Sequence, residues 1–414
     1  MATTSTDLAS RADKPMSLNM KLLSQHELDG YGGMGEGMSM QRTADGRRIL
    51  WLAHEGGPKN FTGVDVSDPR KPKMVVQTEL PGPKMRSNSL DVVGSTLAVA
   101  YQTAARGAKE AGFELFDVSV PEKPRSISFF SCAGPASRGV HQLWFVDGEY
   151  VHASSGAPDF TPRNPADDQI YRSFDVRDPA RPVEAGRWWL PGVAEGDSAP
   201  APARHTHGFD AGFRAHNTNV YPEHPDRCYV GYVDAGAIVL DISDKARPRM
   251  LCHWDPSPPF PGFTHTVLPI FGRDLLVVSD ESVKDNAADW PKLVWVLDYR
   301  AEDNPVPIST FPMAPRDVFG KRGGRFGAHN LHENQPGSFR SDEIVVGTFF
   351  NGGVRAFDIS DPYRPEEIAY YVPPAPRLAP TGSIQLNDVY VDDRGVVFTM
   401  DRHVGGLYAL EMNV

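Results

Sequence analysis

Phe357-Asp358-Ile359-Ser360-Asp361-Pro362 reads as the end of a β-strand running into a tight turn, because an apolar, β-branched segment is stopped by Ser, Asp and Pro. The phrase recurs as Val64-Asp65-Val66-Ser67-Asp68-Pro69, Phe116-Asp117-Val118-Ser119-Val120-Pro121 and Phe174-Asp175-Val176-Arg177-Asp178-Pro179. It returns again as Leu240-Asp241-Ile242-Ser243-Asp244 and Leu297-Asp298-Tyr299-Arg300, and Leu410-Glu411 is a worn last copy. Successive acidic positions lie 52, 58, 66, 57, 60 and 53 residues apart, room for four short strands and their loops. A proline follows six of the copies (Pro72, Pro124, Pro182, Pro248, Pro305, Pro365), and then a short apolar run. Seven such units, with no sustained 3.6-residue period competing, predict an all-β fold: a seven-bladed β-propeller, whose radial closure protects the sheet edges. Each signature Asp is expected to be structural, capping its own turn with its carboxylate.

Working outward, residues 1–20 read as a polar, disordered tail and 21–414 as a single propeller. The final copy stops directly after Leu410, so the stretch near Leu22 to His26 is the candidate for the missing outer strand of the last blade. Two insertions, 188–214 and 311–327, are long for a compact domain and are expected to be lids over one face. Gly 38 and Pro 37 suit many tight turns, and a formal net charge of −11 argues against nucleic acid as a partner. No apolar run approaches the ~18 residues of a membrane helix, and the first fifteen residues lack the hydrophobic segment of a signal peptide. Three cysteines without CxxC spacing fit buried thiols in a reducing cytoplasm. These features together predict a cytoplasmic protein that meets neither membrane nor nucleic acid.

The Asp-Ile/Val-Ser-Asp-Pro-x-x-Pro units resemble those of the LVIVD-repeat propellers, from about Met38 to the C-terminus. The resemblance implies the fold and leaves function to the chemistry of the site.

That chemistry is concentrated in one column. Registered on the first strand of each blade, four units place a histidine at the same point: Val140-His141-Gln142, Ala215-His216-Asn217, Thr264-His265-Thr266 and Ala328-His329-Asn330. Blades two and seven carry Asn88 and Asn387 there, and blade one has no clear equivalent around Met40. With 13 histidines in 414 residues, any one position is His about 3% of the time. Four in seven equivalent slots is then a chance of less than about one in ten thousand for one chosen column. First residues of innermost strands form a ring, so His141, His216, His265 and His329 are predicted to share one metal ion. Neutral imidazole is a preferred ligand of Fe, Zn, Cu and Ni. The expectation is a divalent transition metal, Fe(II) ahead of Cu, Mn or Zn, in a carboxylate-free inner sphere, with Asn88 and Asn387 left to bind water or substrate.

Loops returning to the same face carry the acid–base candidates Glu281 and Glu55, and His207 beside His205 in the first insertion. His332 is placed outside the inner sphere, because a spacing of three on a strand turns it to the other face. Asp401-Arg402-His403 is read as either part of the site or a salt-bridged closure between the last and first blades. Lys321, Arg322 and Arg325 are read as anion binders or as solvated charges. A four-histidine centre on a seven-bladed propeller is similar in architecture to carotenoid-cleaving oxygenases and to selenium-binding-protein-type thiol oxidases. Both similarities imply oxygen-dependent oxidation of a small organic molecule at the top of the channel. A redox-neutral lyase or hydrolase and a non-catalytic interaction scaffold are the alternatives.

Overall fold

The computed structural model describes residues 14–31, 33, 35–204 and 210–414. Their strands group into seven antiparallel sheets, five following the order of the chain and two joined by N-terminal strands, and so build a seven-bladed propeller. Blade three is representative. Val140–Trp144 is buried along its whole length, Tyr150–Ser155 and Ile170–Asp175 follow, and Val183–Trp188 is half exposed. The innermost strand thus lines the channel and the outermost faces solvent.

The repeated phrase closes the third strand of each of the first six blades. Asp65, Asp117, Asp175, Asp241, Asp298 and Asp358 each accept the backbone N–H two residues on, at 2.7 to 3.0 Å. The signature carboxylate therefore holds the turn, as Asp side chains do when they substitute for a backbone acceptor. Two residues ahead of it a β-bulge shifts the register between third and fourth strands in all six blades, at Gly63/Val64, Leu115/Phe116, Ser173/Phe174, Val239/Leu240, Val296/Leu297 and Ala356/Phe357.

Closure draws on the N-terminus twice. Met20–His26 pairs with Leu407–Met412 and supplies the outer strand of blade seven. Met16–Leu18 pairs with Glu366–Val372 and adds a strand to blade six. A tail reaching residue 20 is therefore too long: residues 16–18 and Met20 belong to the sheets, because unpaired backbone at two blade edges finds partners there. Residues 1–13 lie outside the described set. The innermost segment of blade six joins its neighbour through isolated bridges, Leu331 to Gly347 and Phe326 to Phe350, rather than a continuous ladder.

The insertion at 311–327 is packed down. It contains a one-turn helix, Arg316–Phe319, and buries Val318, Phe319 and Phe326, with Phe326 stacked between Phe319 and Trp290. Asn351 donates to the Phe319 and Gly323 carbonyls and fixes the turn. No helix among the described residues is long and apolar enough to cross a membrane.

Candidate metal centre

The innermost segments of blades three to six bring their histidines together at one point of the channel. Consecutive ring centroids are 4.4 Å apart for His141 and His216, 4.0 Å for His216 and His265, and 4.6 Å for His265 and His329. All four residues are buried.

Each ring is held by its outer nitrogen. His141 Nδ1 lies 3.0 Å from Gln102 Oε1, His216 Nδ1 2.9 Å from Asn217 Oδ1, His265 Nδ1 2.8 Å from Thr266 Oγ1, and His329 Nδ1 2.6 Å from the Asn387 carbonyl. Three of these partners only accept. The Asn387 oxygen is a carbonyl, the Gln102 oxygen also takes two bonds from Arg86, and the Asn217 amide spends its N–H groups on Glu333 and Thr266. In His216 and His329 Nδ1 therefore carries the proton and the Nε2 lone pair is turned to the centre, whereas His141 Nδ1 also has the donor Arg86 Nη2 at 3.4 Å and the Thr266 hydroxyl beside His265 both donates and accepts. Burial lowers the imidazoles of His141, His216 (to about 3) and His265, so the neutral form prevails. His141 Nε2 and His216 Nε2 stand at hydrogen-bonding distance, 2.9 Å apart, while Nε2 of His265 and of His329 has no hydrogen-bond partner. Neighbouring ligands at right angles around an ion with ~2.1 Å bonds are about 3.0 Å apart. The residues fit a metal.

A carboxylate sits among them. Glu36 Oε2 is 3.6 Å from His141 Nε2, 3.8 Å from His216 Nε2 and 3.8 Å from His265 Nε2, and its Oε1 is 3.5 Å from His329 Nε2. The expected carboxylate-free sphere is thus corrected. Glu36 fills the blade-one slot that the column left blank: it stands 29 residues ahead of Asp65, the interval that also separates Asn88 from Asp117 and His329 from Asp358. That interval was the available signal. Gly35 and Gly37 make the placement possible, because a Cβ at either would come within 2.5 Å of backbone atoms of Asn88 and Leu90. Burial raises the Glu36 carboxyl, but its contacts with the His265 and His329 rings prevail and hold it well below the usual carboxylate range.

Glu281 joins the cluster. Its Oε1 is 3.6 Å from His329 Nε2 and 2.7 Å from Arg325 Nη1, and its Oε2 is 4.0 Å from His216 Nε2. Burial opposes its ionisation, yet His329 and Arg325 bring its carboxyl to about 2. Metal-capable atoms of Glu36, His216 and His265 lie within 4.8 Å of one another, as do those of His265, Glu281 and His329.

Glu55 is not brought against a ring. Arg86 holds its Oε1 at 2.6 Å and Arg402 pairs with the same oxygen, so it reaches His141 only through Arg86 and Gln102. Two guanidiniums outcompete an imidazole for one carboxylate, and the Glu55–Arg402 pair is the closure between blades seven and one. His207 and His205 lie outside the described residues. His332 spends both nitrogens on backbone, at Phe339 and Val391. Arg322 sits over Phe319 and Lys321 is exposed, leaving Arg325 as the one cation of that insertion at the site. Asn88 donates to Glu36 at 3.1 Å, and Asn387 donates to the Gly35 carbonyl at 2.9 Å. Glu333 was not singled out by sequence reasoning. It accepts from Asn217 and Asn219 at 2.7 and 2.8 Å and so steadies the amide that orients His216, and burial pushes its carboxyl up to about 7.

The LVIVD-repeat family model matches residues 227–255, the second to fourth strands of blade four. The protein is a seven-bladed β-propeller with an LVIVD repeat in its fourth blade. The β-propeller domain of Cps50 (Swd1) from Myceliophthora thermophila is similar in structure, with a TM-score of 0.55 at 13% identity over 92% of this chain and 97% of that one. At that identity the likeness shows the fold alone. No curated protein matches the chain in sequence.

Proposed function

We propose that this LVIVD-repeat propeller is a metal-dependent enzyme acting on a small organic substrate at the entrance of its central channel. The observation that carries the reading is the convergence of four buried imidazole Nε2 atoms, two of them 2.9 Å apart and the other two without a hydrogen-bond partner, with every ring engaged at Nδ1. A cation gives the unpartnered Nε2 atoms a ligand role that nothing in the chain offers them. Protonating the rings instead would bury several charges against one or two carboxylates, which burial disfavours. Four imidazoles and the Glu36 carboxylate suit Fe(II) or Mn(II) better than Cu(I), which prefers soft thiolate and thioether ligands, and they leave an octahedral ion one open position.

Fe(II) is the favoured ion and oxygen-dependent oxidation the favoured reaction; bound there, a redox-active ion supplies electrons to dioxygen. The chain itself orients the rings through Gln102, Asn217, Thr266 and Asn387, shields the centre from bulk water, and offers Glu36 and Glu281 to hold or move a proton at their carboxylate oxygens. The buried ionised carboxylates favour a second reading, a redox-neutral lyase or hydrolase using the ion as a Lewis acid. Three buried, unpaired cysteines fit a reducing compartment such as the cytoplasm.

Metal content of protein purified without air, by mass spectrometry, followed by competition among Fe(II), Mn(II), Cu(II) and Zn(II), tests the reading. One ion per chain is expected, with Fe(II) or Mn(II) retained. Retention of zinc alone removes the oxidative reading and leaves the Lewis-acid one. Failure to bind any ion removes both and returns the protein to the interaction scaffolds.

A further inference from the structure

Five arginines, Arg86, Arg138, Arg214, Arg325 and Arg402, gather around the imidazoles in a chain whose formal net charge is −11. Arg86 and Arg402 share Glu55, Arg325 pairs with Glu281, and Arg138 is matched by Asp168. Arg214 makes no ion pair among the described residues. Its Nε donates to the Ala211 carbonyl at 2.9 Å and its Nη1 to Gln169 Oε1 at 2.5 Å, and its Nη2 is not engaged. Gln169 is 1% exposed, and its side-chain N–H group has no acceptor. A buried donor left unmade costs about 1–3 kcal/mol, so its persistence beside a free guanidinium N–H group calls for an acceptor that is not part of the chain.

Position links this pair to the centre. Arg214 stands two residues ahead of His216 in the innermost segment of blade four. Phe263 lies between: its ring is 5.7 Å from the Arg214 guanidinium and 6.1 Å from the His216 ring. Phe263 holds this place with φ at +66°, an unfavourable conformation for a bulky residue and one that tends to mark functional sites.

We propose that Arg214 Nη2 and Gln169 Nε2 form a carboxylate-binding subsite, one donor to each oxygen, that anchors a small organic acid with its body on Phe263 and its reactive end at the histidine centre. The subsite deepens the proposed function and rests on it for the identity of its occupant as substrate. A guanidinium N–H and an amide N–H, one for each oxygen, match a carboxylate. The guanidinium of Arg214, which has no ion-pair partner among the described residues, supplies the attraction for an anion in an otherwise acidic protein.

Benzoate serves as the probe, with benzyl alcohol as its neutral counterpart and inorganic phosphate as the competing oxyanion. Each is titrated calorimetrically into the full chain, once stripped with chelator and once reloaded with Co(II), whose visible absorption reports the metal's surroundings. Benzoate is expected to bind both forms, with benzyl alcohol and phosphate weaker. Arg214→Gln and, independently, Gln169→Leu should weaken benzoate by about ten- to hundredfold, as the loss of a hydrogen bond to a charged group does. The exposed Arg125→Gln should leave it unchanged. Equal benzoate affinity in Gln169→Leu and wild type, or benzyl alcohol binding as tightly as benzoate, overturns the proposal. Tighter binding of phosphate overturns the carboxylate assignment. Arg214-dependent benzoate binding in a chain that takes up no cobalt keeps the subsite and removes the metal reading, so the two can fail separately.

Discussion

Blades three to six and blades seven, one and two fill the same slot of one ring with opposite chemistry. The first sector offers four imidazoles whose Nε2 atoms point inward; the second offers Asn387, Glu36 and Asn88, which spend their amides on the chain and send one carboxylate into the centre. Both sectors are built on the same plan of antiparallel blades. The difference shows that a propeller separates its folding code, the capped turn near the rim, from the ligand set near the axis. One can vary from blade to blade without disturbing the other.

The largest effect should come from making one sector resemble the other. His265→Asn puts amide chemistry into the middle of the imidazole sector and should lower metal affinity by more than about a hundredfold, beyond the ten- to hundredfold typical of outer partners. Competition with a chromophoric chelator measures it. Unchanged affinity would show that the sectors are equivalent and the cluster is not a metal centre.

Glu36→Gln keeps the shape and removes the charge that the amide sector contributes. It should weaken Fe(II) or Mn(II) by about ten- to hundredfold while weakening Cu(I) less, since a hard carboxylate favours hard ions. Parallel loss for all metals would mean that Glu36 acts through packing.

Thr266→Val removes the partner of His265 Nδ1 and leaves the imidazole in place. A loss of about tenfold in metal affinity is expected, as for other outer-sphere changes, with the apo protein's melting temperature nearly unmoved.

Asp358→Ala tests the other half of the comparison. It deletes a rim cap that accepts the Ser360 N–H at 2.7 Å, and should lower stability by about 1 kcal/mol, a typical hydrogen-bond increment, with metal affinity unaltered. A changed metal affinity would show that rim and axis are coupled after all.

The slot column was legible because each histidine stands at a fixed place in a repeated unit, and repetition converts sequence position into spatial position. Glu36 was missed although its 29-residue interval to Asp65 was present, because the column was being read for histidine and blade one offers none. Glu55 was overvalued for a related reason: nothing in the order of residues shows that Arg86 and Arg402, 31 and 347 positions away, would claim it first.

By itself the sequence determined the number of blades, the capped turns and the four imidazoles, all of which follow from short-range patterns copied along the chain. Only the tertiary structure decided that Met16–Leu18 would join blade six, that Glu36 would sit among the rings, that every Nδ1 would find its partner, and that Gln169 would be left facing Arg214 with an unspent donor. These depend on which side chains the closed ring brings within hydrogen-bonding distance. A pairing between residues hundreds of positions apart exists only once the loop entropy between them has been overcome by closure of the whole propeller.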